Sequence, residues 1–502
     1  MTLRHPPFLP AAAGSCLPVA SLGRGLAGAW LATWLGTAPA AAAPPTLLVP
    51  GGAETLQTTP AEGFEPLGFL TGIEKSSNLL GDMWGLRPLL AQYGISFALS
   101  ETSEVLGNVT GGVRQGFEYD GLTQMAVQLD TQQAFGWHGG TFHVSALQIQ
   151  GRNLSADNLL SLQTASGIEA DDGARLWELW YQQKFLADDW ADVKIGQQSL
   201  DQEFIVSQNA LLFVNTMFGW PMVPSADLPG GGPAYPLSAL GVRLRLRPTD
   251  SLTGLLAVTN GNPAPNNLGD PQVQNPSGTS FPLNGGALVI GEIQYSYPAI
   301  GVMVTSGQEE VHQGTYKIGF WYNSESFDDL AFDNTGLSLA NPLSNGMPIE
   351  HHGDWSIYGV VDQMVGEMPN GGTLNFFTRV MGTPQGNRNP IVFSLNTGLT
   401  LHGPLASRPD DTAGLAIEYA RVSGSSAALD QETAFFTGSS VPIQTGETVI
   451  ELTYQYQLTP AVQLQPDFQY VFNPGGGITN PNVPNQSVEN EAVLGLRVNL
   501  TF

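Results

Sequence analysis

The last eleven residues of the chain alternate between two kinds of side chain, and this alternation limits the possible folds more than any other feature. A period of two residues is that of a β-strand whose two faces meet different surroundings. The same period recurs in residues 448–458 and in the segment that starts at Val462. In the final strand the apolar face consists of Ala492, Leu494, Leu496, Val498, Leu500 and Phe502, and the other face of Val493, Gly495, Arg497, Asn499 and Thr501.

Strands of about ten residues, apolar on one side and hydrogen-bonding on the other, fit a transmembrane β-barrel with lipid outside and water inside. A soluble β-sandwich is the alternative, although soluble strands average only about five or six residues. The 60 Gly and 36 Pro disfavour long helices, and the net charge of −26 argues against binding to a phosphate backbone. We therefore expect an all-β, antiparallel transmembrane barrel and no nucleic-acid partner.

The N-terminal region has the pattern of an export signal. Arg4 and Arg24 precede an apolar run at 25–35 that ends in a series of alanines, which predicts a signal peptide over residues 1–43. A lipoprotein signal at Cys16 is a less favoured alternative. Because Cys16 is the only cysteine, the mature protein is expected to lack disulfides and cysteine-ligated metal.

Behind this leader, residues 44–93 are expected to form a periplasmic segment with a short helix between Pro88 and Gly94, and residues 94–502 the barrel. Long connections rich in Gly, Pro and Asn alternate with tight turns, as in outer-membrane barrels. Seventeen candidate strands can be counted, but assigning residues 301–306 to a periplasmic connection leaves the even number that a closed barrel needs. The sixteen strands are predicted to begin near Gly94, Phe117, Thr141, Leu176, Val193, Ala239, Leu252, Ala287, Thr315, Trp355, Leu374, Val392, Ala413, Val449, Val462 and Ala492.

A series of short motifs resembles the carbohydrate-selective porins of the OprB type, over about residues 81–502. The resemblance implies a sixteen-stranded pore of the bacterial outer membrane that passes glucose and similar sugars by diffusion. The motifs are Trp84-Gly85-Leu86-Arg87, Gly94-Ile95, Gly140-Thr141-Phe142-His143-Val144, Gly151-Arg152-Asn153-Leu154, Lys194-Ile195-Gly196-Gln197-Gln198, Gly314-Thr315-Tyr316-Lys317-Ile318-Gly319, His351-His352-Gly353-Asp354, Arg408-Pro409-Asp410-Asp411 and Leu464-Gln465-Pro466-Asp467.

Selectivity of a pore depends on the side chains that line its lumen. Around residue 243 the apolar set points outward and places Arg243, Arg245 and Arg247 in one column on the inner wall, about 6.6 Å apart along the strand. A planar guanidinium can hold two sugar hydroxyls while neighbouring carboxylates accept from others. The alternatives are that this column is only solvated, or that it pairs with carboxylates to brace the barrel.

The same alternation predicts further residues that line the pore. Trp180 and Trp321 are predicted to stack on sugar rings, because pyranose C–H faces pack on aromatic rings. A one-residue bulge would instead move either tryptophan to an interfacial girdle. On the strand from Leu176, the residue Trp177 is expected to face lipid. The remaining inward residues are Glu178, Lys184, Lys317, Arg379 and Arg497.

The connection at 199–235 is unusually apolar for a surface loop, which favours a loop that folds into the lumen. The rival functions are a general or cation-preferring porin, favoured by a net charge of −28 once Arg4 and Arg24 leave with the leader, and a barrel hydrolase. We expect no enzymatic activity, no cofactor and no metal. The expected partners are sugars, outer-membrane lipid and the assembly machinery, the last through the strand that ends at Phe502.

Overall fold

A computed structural model describes residues 77–186, 189–266, 269–298 and 312–502. Its strands form a closed barrel in which each strand pairs with its neighbours in sequence and the last pairs with the first. The predicted leader at 1–43 and the residues 301–306 lie outside the described residues. Among those that are described, no helix has the length and apolar character needed to span a bilayer.

Sixteen antiparallel strands make the barrel, as the alternation predicts. They are β1 (Ile95–Thr110), β2 (Gly116–Asp130), β3 (Gly140–Gly151), β4 (Gly173–Phe185), β5 (Ala191–Gln198), β6 (Ala239–Thr249), β7 (Leu252–Asn260), β8 (Ala287–Tyr297), β9 (Gly314–Asp333), β10 (Pro348–Glu367), β11 (Thr373–Gly382), β12 (Ile391–His402), β13 (Thr412–Val422), β14 (Gly446–Thr459), β15 (Val462–Phe472) and β16 (Glu491–Thr501).

Within the described ranges, the α-helices are short and lie in connections or before β1. They are α1 (Leu86–Gln92), α2 (Thr131–Phe135), α3 (Met222–Asp227), α4 (Pro271–Gln274) and α5 (Gly424–Thr437). The connection between β15 and β16 also carries a small two-stranded hairpin at 479–487.

One predicted strand start is wrong. The strand predicted from Trp355 begins at Pro348, and β9 and β10 each run for 20 residues. Their outer ends carry acidic, histidine and asparagine side chains, so the apolar alternation is absent there although backbone pairing continues. The predicted starts of the other strands agree with the structure to within a few residues.

Side-chain exposure confirms the two faces of the last strand. Leu494 and Leu496 are 42% and 47% exposed on the outer wall, whereas Val493 and Arg497 are 0% and 7% exposed inside. The main hydrophobic core therefore lies within the barrel, where side chains of the connection at 199–238 pack against the inner wall.

The helix α1 lies at the seam where β1 pairs with β16, and its Arg87 contacts both sides of this seam. It begins at Leu86, two residues before the predicted start at Pro88. The Arg87 guanidinium donates to the backbone carbonyls of Phe97, at 3.0 Å, and Phe502, and it lies 4.3 Å from the centre of the Phe97 ring. Arg87 thus connects the first strand to the last residue of the barrel.

We expect Arg87→Ala to weaken this seam, because a hydrogen bond from a charged group contributes about 1.5 kcal/mol even at a modest site. On an SDS gel the folded barrel migrates faster than the unfolded chain. When samples are heated in steps before the gel is run, the fast band should disappear at a lower temperature for Arg87→Ala. Arg87→Lys, which keeps the charge but not the two-pronged geometry, should give an intermediate value. An unchanged transition for Arg87→Ala would show that the seam is held by strand pairing alone.

Candidate functional site

The connection between β5 and β6, residues 199–238, lies inside the barrel, and we refer to it as the constriction loop. This confirms the infolding predicted from its apolar composition, since Phe204, Phe218 and Trp220 are all buried. The neck of the loop is closed by Asp201, which accepts from the Ser199 hydroxyl at 2.5 Å and from the Tyr235 backbone N–H at 3.0 Å.

Carboxylates of the barrel wall hold the backbone of this loop. Glu292 on β8 accepts from the N–H of Ile205, Asp362 on β10 from the N–H of Asn209, and Glu451 on β14 from two successive amides. The Glu451 contacts, to Val214 and Asn215, measure 2.6 Å and 3.0 Å. A buried N–H without a partner is costly, so these acids compensate a backbone that forms little secondary structure.

Wall cations hold the loop carbonyls in the same way. Arg379, 2% exposed, donates to the carbonyl oxygens of Met217 at 2.5 Å, Gly219 at 2.8 Å and Ile205 at 3.3 Å. The Lys317 ammonium donates to the carbonyl of Val206 at 2.7 Å and lies 4.0 Å from Glu292. Both predicted pore-lining residues do face inward, but their charged groups are occupied by the loop.

A second loop, residues 152–172, also enters the lumen, and the sequence analysis missed it. Glu447 on β14 accepts from the N–H groups of Leu162 and Gln163 at 2.8 Å and 2.7 Å. The predicted residue Arg497 pairs with Glu104 at 2.7 Å and also reaches the Ser166 hydroxyl of this loop at 3.4 Å. The available sign was the presence of several leucines in an otherwise polar connection: Leu154, Leu159, Leu160 and Leu162.

The arginine column belongs to a network of ion pairs, which we call the charge cluster: Asp192, Lys194, Glu203, Arg243 and Arg245. Asp192 bridges Arg243 and Arg245, the latter at 2.5 Å. Glu203 comes from the constriction loop and pairs with Lys194 and with Arg243, the latter at 2.6 Å. Asp192 and Lys194 are two residues apart on the polar face of β5. The period of two in the sequence could therefore have identified both as residues that face the lumen.

Exposure in the charge cluster increases toward the end of β6. Arg243 is buried, whereas the Arg245 side chain is 31% exposed and that of Glu203 23% exposed. The third member of the predicted column, Arg247, is partly exposed and makes no side-chain hydrogen bond or ion pair within the described part of the chain. Lys184 lies at the same end of the barrel, 3.6 Å from Asp189.

Trp180 and Glu178 lie beside the charge cluster. The Trp180 ring stacks on His143, with centroids 4.6 Å apart and planes 9° apart, and the Lys194 ammonium is 5.0 Å from its centre. His143 comes from β3 and Lys194 from β5, on either side of β4, so neighbours cover the faces of the ring. Glu178 is 3.5 Å from His143 and accepts from the Ser199 N–H at 3.1 Å.

Three tryptophan expectations need correction. Trp180 was predicted to stack on a sugar ring, but His143 and Lys194 cover its faces. Trp177 was expected to face lipid, but the pairing of β3 with β4 shifts between Ser145 and Ala146, and this bulge turns Trp177 inward against Tyr235. Trp321 does face inward, yet it is 0% exposed beneath the constriction loop. It therefore has no free face on which a sugar could stack.

Another sector of the wall is lined with amides. An open cavity, with about 60 Å³ of room for water-sized molecules, lies between the two infolded loops and strands β14 to β16. Gln455, Gln463, Gln465 and Asn499 line it together with Arg497. Among the described residues, no group of three or more His, Cys, Asp and Glu forms a potential metal site.

Residues 114–502 match the family model described as carbohydrate-selective porin, OprB family. The chain belongs to this family. It is 25% identical over 467 residues to Porin B of Pseudomonas aeruginosa, covering 88% of this chain and 93% of that protein. It is 23% identical to the putative porin QuiX of Acinetobacter baylyi, covering 84% of this chain and 93% of that one.

The fold agrees with that of a solved family member. The high-pH structure of Pseudomonas putida OprB superposes with a TM-score of 0.73 at 24% identity, covering 86% of this chain and 99% of that one. Because the chain belongs to the porin family and has this fold, it is a barrel of the bacterial outer membrane. The end with short turns faces the periplasm, as is usual for such barrels. The exposed end of the arginine column therefore opens toward the periplasm.

We expect Glu203→Gln to make the pore prefer anions, because Arg243 and Lys194 lose their shared counter-charge. An uncompensated charge about 4 Å from a permeating ion contributes about 1 kcal/mol in water, or about fivefold in the chloride-to-potassium permeability ratio. The ratio follows from the reversal potential in a bilayer under a KCl gradient. Glu489→Gln, at an exposed position of an outer connection, is the control; equal ratios in both variants would contradict a role of the charge cluster.

Arg379→Met should release part of the constriction loop, because three loop carbonyls lose their donor in a buried place, at about 1–3 kcal/mol each. We expect a larger and noisier single-channel conductance and a lower unfolding temperature. Arg421→Met, on the exposed side of β13, serves as the matched control. A steady wild-type conductance for Arg379→Met would mean that the wall carboxylates alone position the loop.

Proposed function

We propose that this porin passes neutral sugars by passive diffusion and that they bind transiently at the open edge of the charge cluster. The observation that carries the proposal is the balance of charge at this site. Within the cluster Lys194, Arg243 and Arg245 stand against Asp192 and Glu203, and Glu178 lies beside it, so hydrogen-bond donors and acceptors are concentrated and most of the charge is paired. Such a surface suits hydroxyl-rich, uncharged molecules better than ions.

In this proposal, hydrogen-bonding side chains that line the passage replace the water molecules around a sugar. Arg245 and Arg247 donate to hydroxyl oxygens, and Glu203 accepts hydroxyl protons. Gln455, Gln463 and Asn499, in the amide-lined cavity, can do both, because a side-chain amide carries a donor and an acceptor. No covalent step is involved, and the sugar moves down its concentration gradient.

The other predicted pore residues take supporting roles in the proposal. Arg243, Glu178 and Trp180 position the charge cluster and the loop neck, and Lys184 lies at the periplasmic mouth. The roles of Lys317, Arg379, Arg497 and Trp321 are to hold the infolded loops in place. The bracing alternative that the sequence left open concerned the arginine column, in which Arg243 and Arg245 pair with Asp192.

A cation-preferring porin is the second candidate, and the net charge of −26 for the whole chain is the observation in its favour. Several lumen carboxylates nonetheless accept hydrogen bonds from loop amides or pair with arginines: Glu104, Glu292, Asp362, Glu447 and Glu451. Acids engaged in this way contribute less to attracting cations than the total charge suggests.

Arg245→Ala should weaken sugar binding about tenfold, the loss expected for one or two hydrogen bonds from a charged group to a partly exposed site. The measurement is the block of ion current by glucose in a planar bilayer, together with swelling of liposomes in glucose. Arg421→Ala, outside the lumen, should behave as wild type. Ion current that is insensitive to saturating glucose in the wild type would favour the general porin, whereas equal block in both variants would remove only Arg245 from the site.

A further inference from the structure

Two buried aspartates at the outer end of the barrel, away from the short turns, each have one carboxylate oxygen without a hydrogen-bond donor. Asp354 lies on β10 and is 0% exposed, and Asp227 is the last residue of α3 in the constriction loop and is 5% exposed. Among the described residues, no group donates to the Oδ2 atom of either side chain. Buried polar atoms nearly always have a partner, so these two oxygens require an explanation.

The other oxygen of each aspartate accepts a hydrogen bond from the same short stretch of chain, at the start of β12. Asp227 Oδ1 accepts from the N–H of Ile391, the first residue of β12, at 3.2 Å. Asp354 Oδ1 accepts from the side-chain amide of Asn389 at 2.8 Å. Only one residue separates Asn389 from Ile391, so the two carboxylates approach each other from different elements of the structure.

Asn389 contributes a third oxygen of this kind. Its side chain is 0% exposed, and its amide nitrogen donates to Asp354 and, at 3.0 Å, to the hydroxyl of Thr383. Its amide oxygen has no donor within the described part of the chain. Because this oxygen belongs to the amide that contacts Asp354, it lies close to the Asp354 carboxylate. Two carboxylate oxygens and one amide oxygen are therefore buried in one region without donors.

No cation of the described chain forms an ion pair with either aspartate. Burial and the nearby charge of Asp354 raise the pKa of Asp227 well above its ordinary range. The guanidinium of Arg388 lies nearby, but it donates to the backbone carbonyl of Gly353 at 2.6 Å. Two neighbouring buried carboxylates without a counter-charge are unfavourable unless a proton or a cation binds to them.

We propose that Asp227, Asp354 and Asn389 form a binding site for a divalent cation, and that the ion is Ca²⁺. Carboxylate and amide oxygens are the ligands that Ca²⁺ takes, and it accepts irregular sets of about six to eight oxygens that include water and backbone carbonyls. The site lies at the opposite end of the barrel from the open edge of the charge cluster. The proposal is therefore independent of the sugar site.

A cation at this position joins three separate parts of the fold. Asp227 comes from the constriction loop, Asp354 from β10 and Asn389 from the connection that precedes β12. The ion would fix α3 to the outer end of the wall, in addition to the hydrogen bonds that hold the loop deeper in the barrel. Bound Ca²⁺ should therefore make the folded barrel more resistant to heat.

Calcium titration of the folded, full-length barrel tests the site. The protein is purified in detergent free of lipopolysaccharide, which itself binds divalent cations, and is treated with EDTA. The fast band on an SDS gel should persist to a higher temperature with Ca²⁺ than with EDTA, because an ion that binds the folded state stabilises it. Tb³⁺, which takes similar oxygen ligands, should show luminescence excited through nearby tryptophans such as Trp355, and Ca²⁺ should displace it.

Three variants locate the ion. Asp354→Asn should weaken Ca²⁺ binding about tenfold or more, because affinity depends on the charge of the ligands, whereas Asn389→Asp adds a carboxylate and should strengthen it. Glu489→Gln, at an exposed position of an outer connection, is the matched control and should respond to Ca²⁺ as the wild type does. Block of the ion current by glucose should be the same in all three variants.

Three results would overturn the proposal. The first is a folded wild-type barrel whose heat resistance and Tb³⁺ luminescence do not respond to Ca²⁺. The second is an equal response in Asp354→Asn and in the wild type, which would place the ion elsewhere. The third is heat resistance that depends on pH and not on Ca²⁺, which would show that the two aspartates share a proton. If Asp354→Asn does not fold, Asn389→Asp decides, because a shared proton predicts no gain in calcium affinity.

Discussion

Every backbone N–H and C=O group inside a membrane barrel needs a partner, and this requirement organises the whole structure. The strands meet it by pairing around a closed ring. The infolded loops cannot meet it by themselves, because they contain only short helical turns. The wall supplies the missing partners, with carboxylates for loop amides and guanidinium or ammonium groups for loop carbonyls.

This arrangement changes the meaning of the charged residues in the lumen. The sequence presents inward acids and bases as groups that a permeating molecule would meet. In the folded protein many of them instead form hydrogen bonds with the infolded loops. Arg379 is the clearest case, because it donates to three loop carbonyls. The charges that stay partly open, Arg245 and Glu203, lie where the constriction loop meets the wall of β5 and β6.

The sequence was most informative wherever one physical environment acts on a whole face of a strand. Lipid on one side and polar groups on the other produce a period of two, which predicted the inward direction of Arg243, Arg379 and Arg497. Together with the even strand number of a closed barrel, it also predicted sixteen strands. The period gave the wrong direction for Trp177. A single extra residue in β4 turns this side chain inward, and the amino-acid sequence carries no sign of such a bulge. Exposure of the inward residues was also beyond the sequence, because the loop that buries Trp321 comes from a distant part of the chain.

The loop anchors contact mainly the main chain. Glu451, Glu447 and Arg379 bind amide and carbonyl groups that all residues share, proline amides excepted. Substitutions in the constriction loop can therefore alter the side chains presented to the passage while the loop keeps its course through the barrel. Related porins with this scaffold can therefore pass different molecules while the residues of the wall stay the same. The wall binds the backbone of the loop, so changes in the loop side chains do not disturb these contacts.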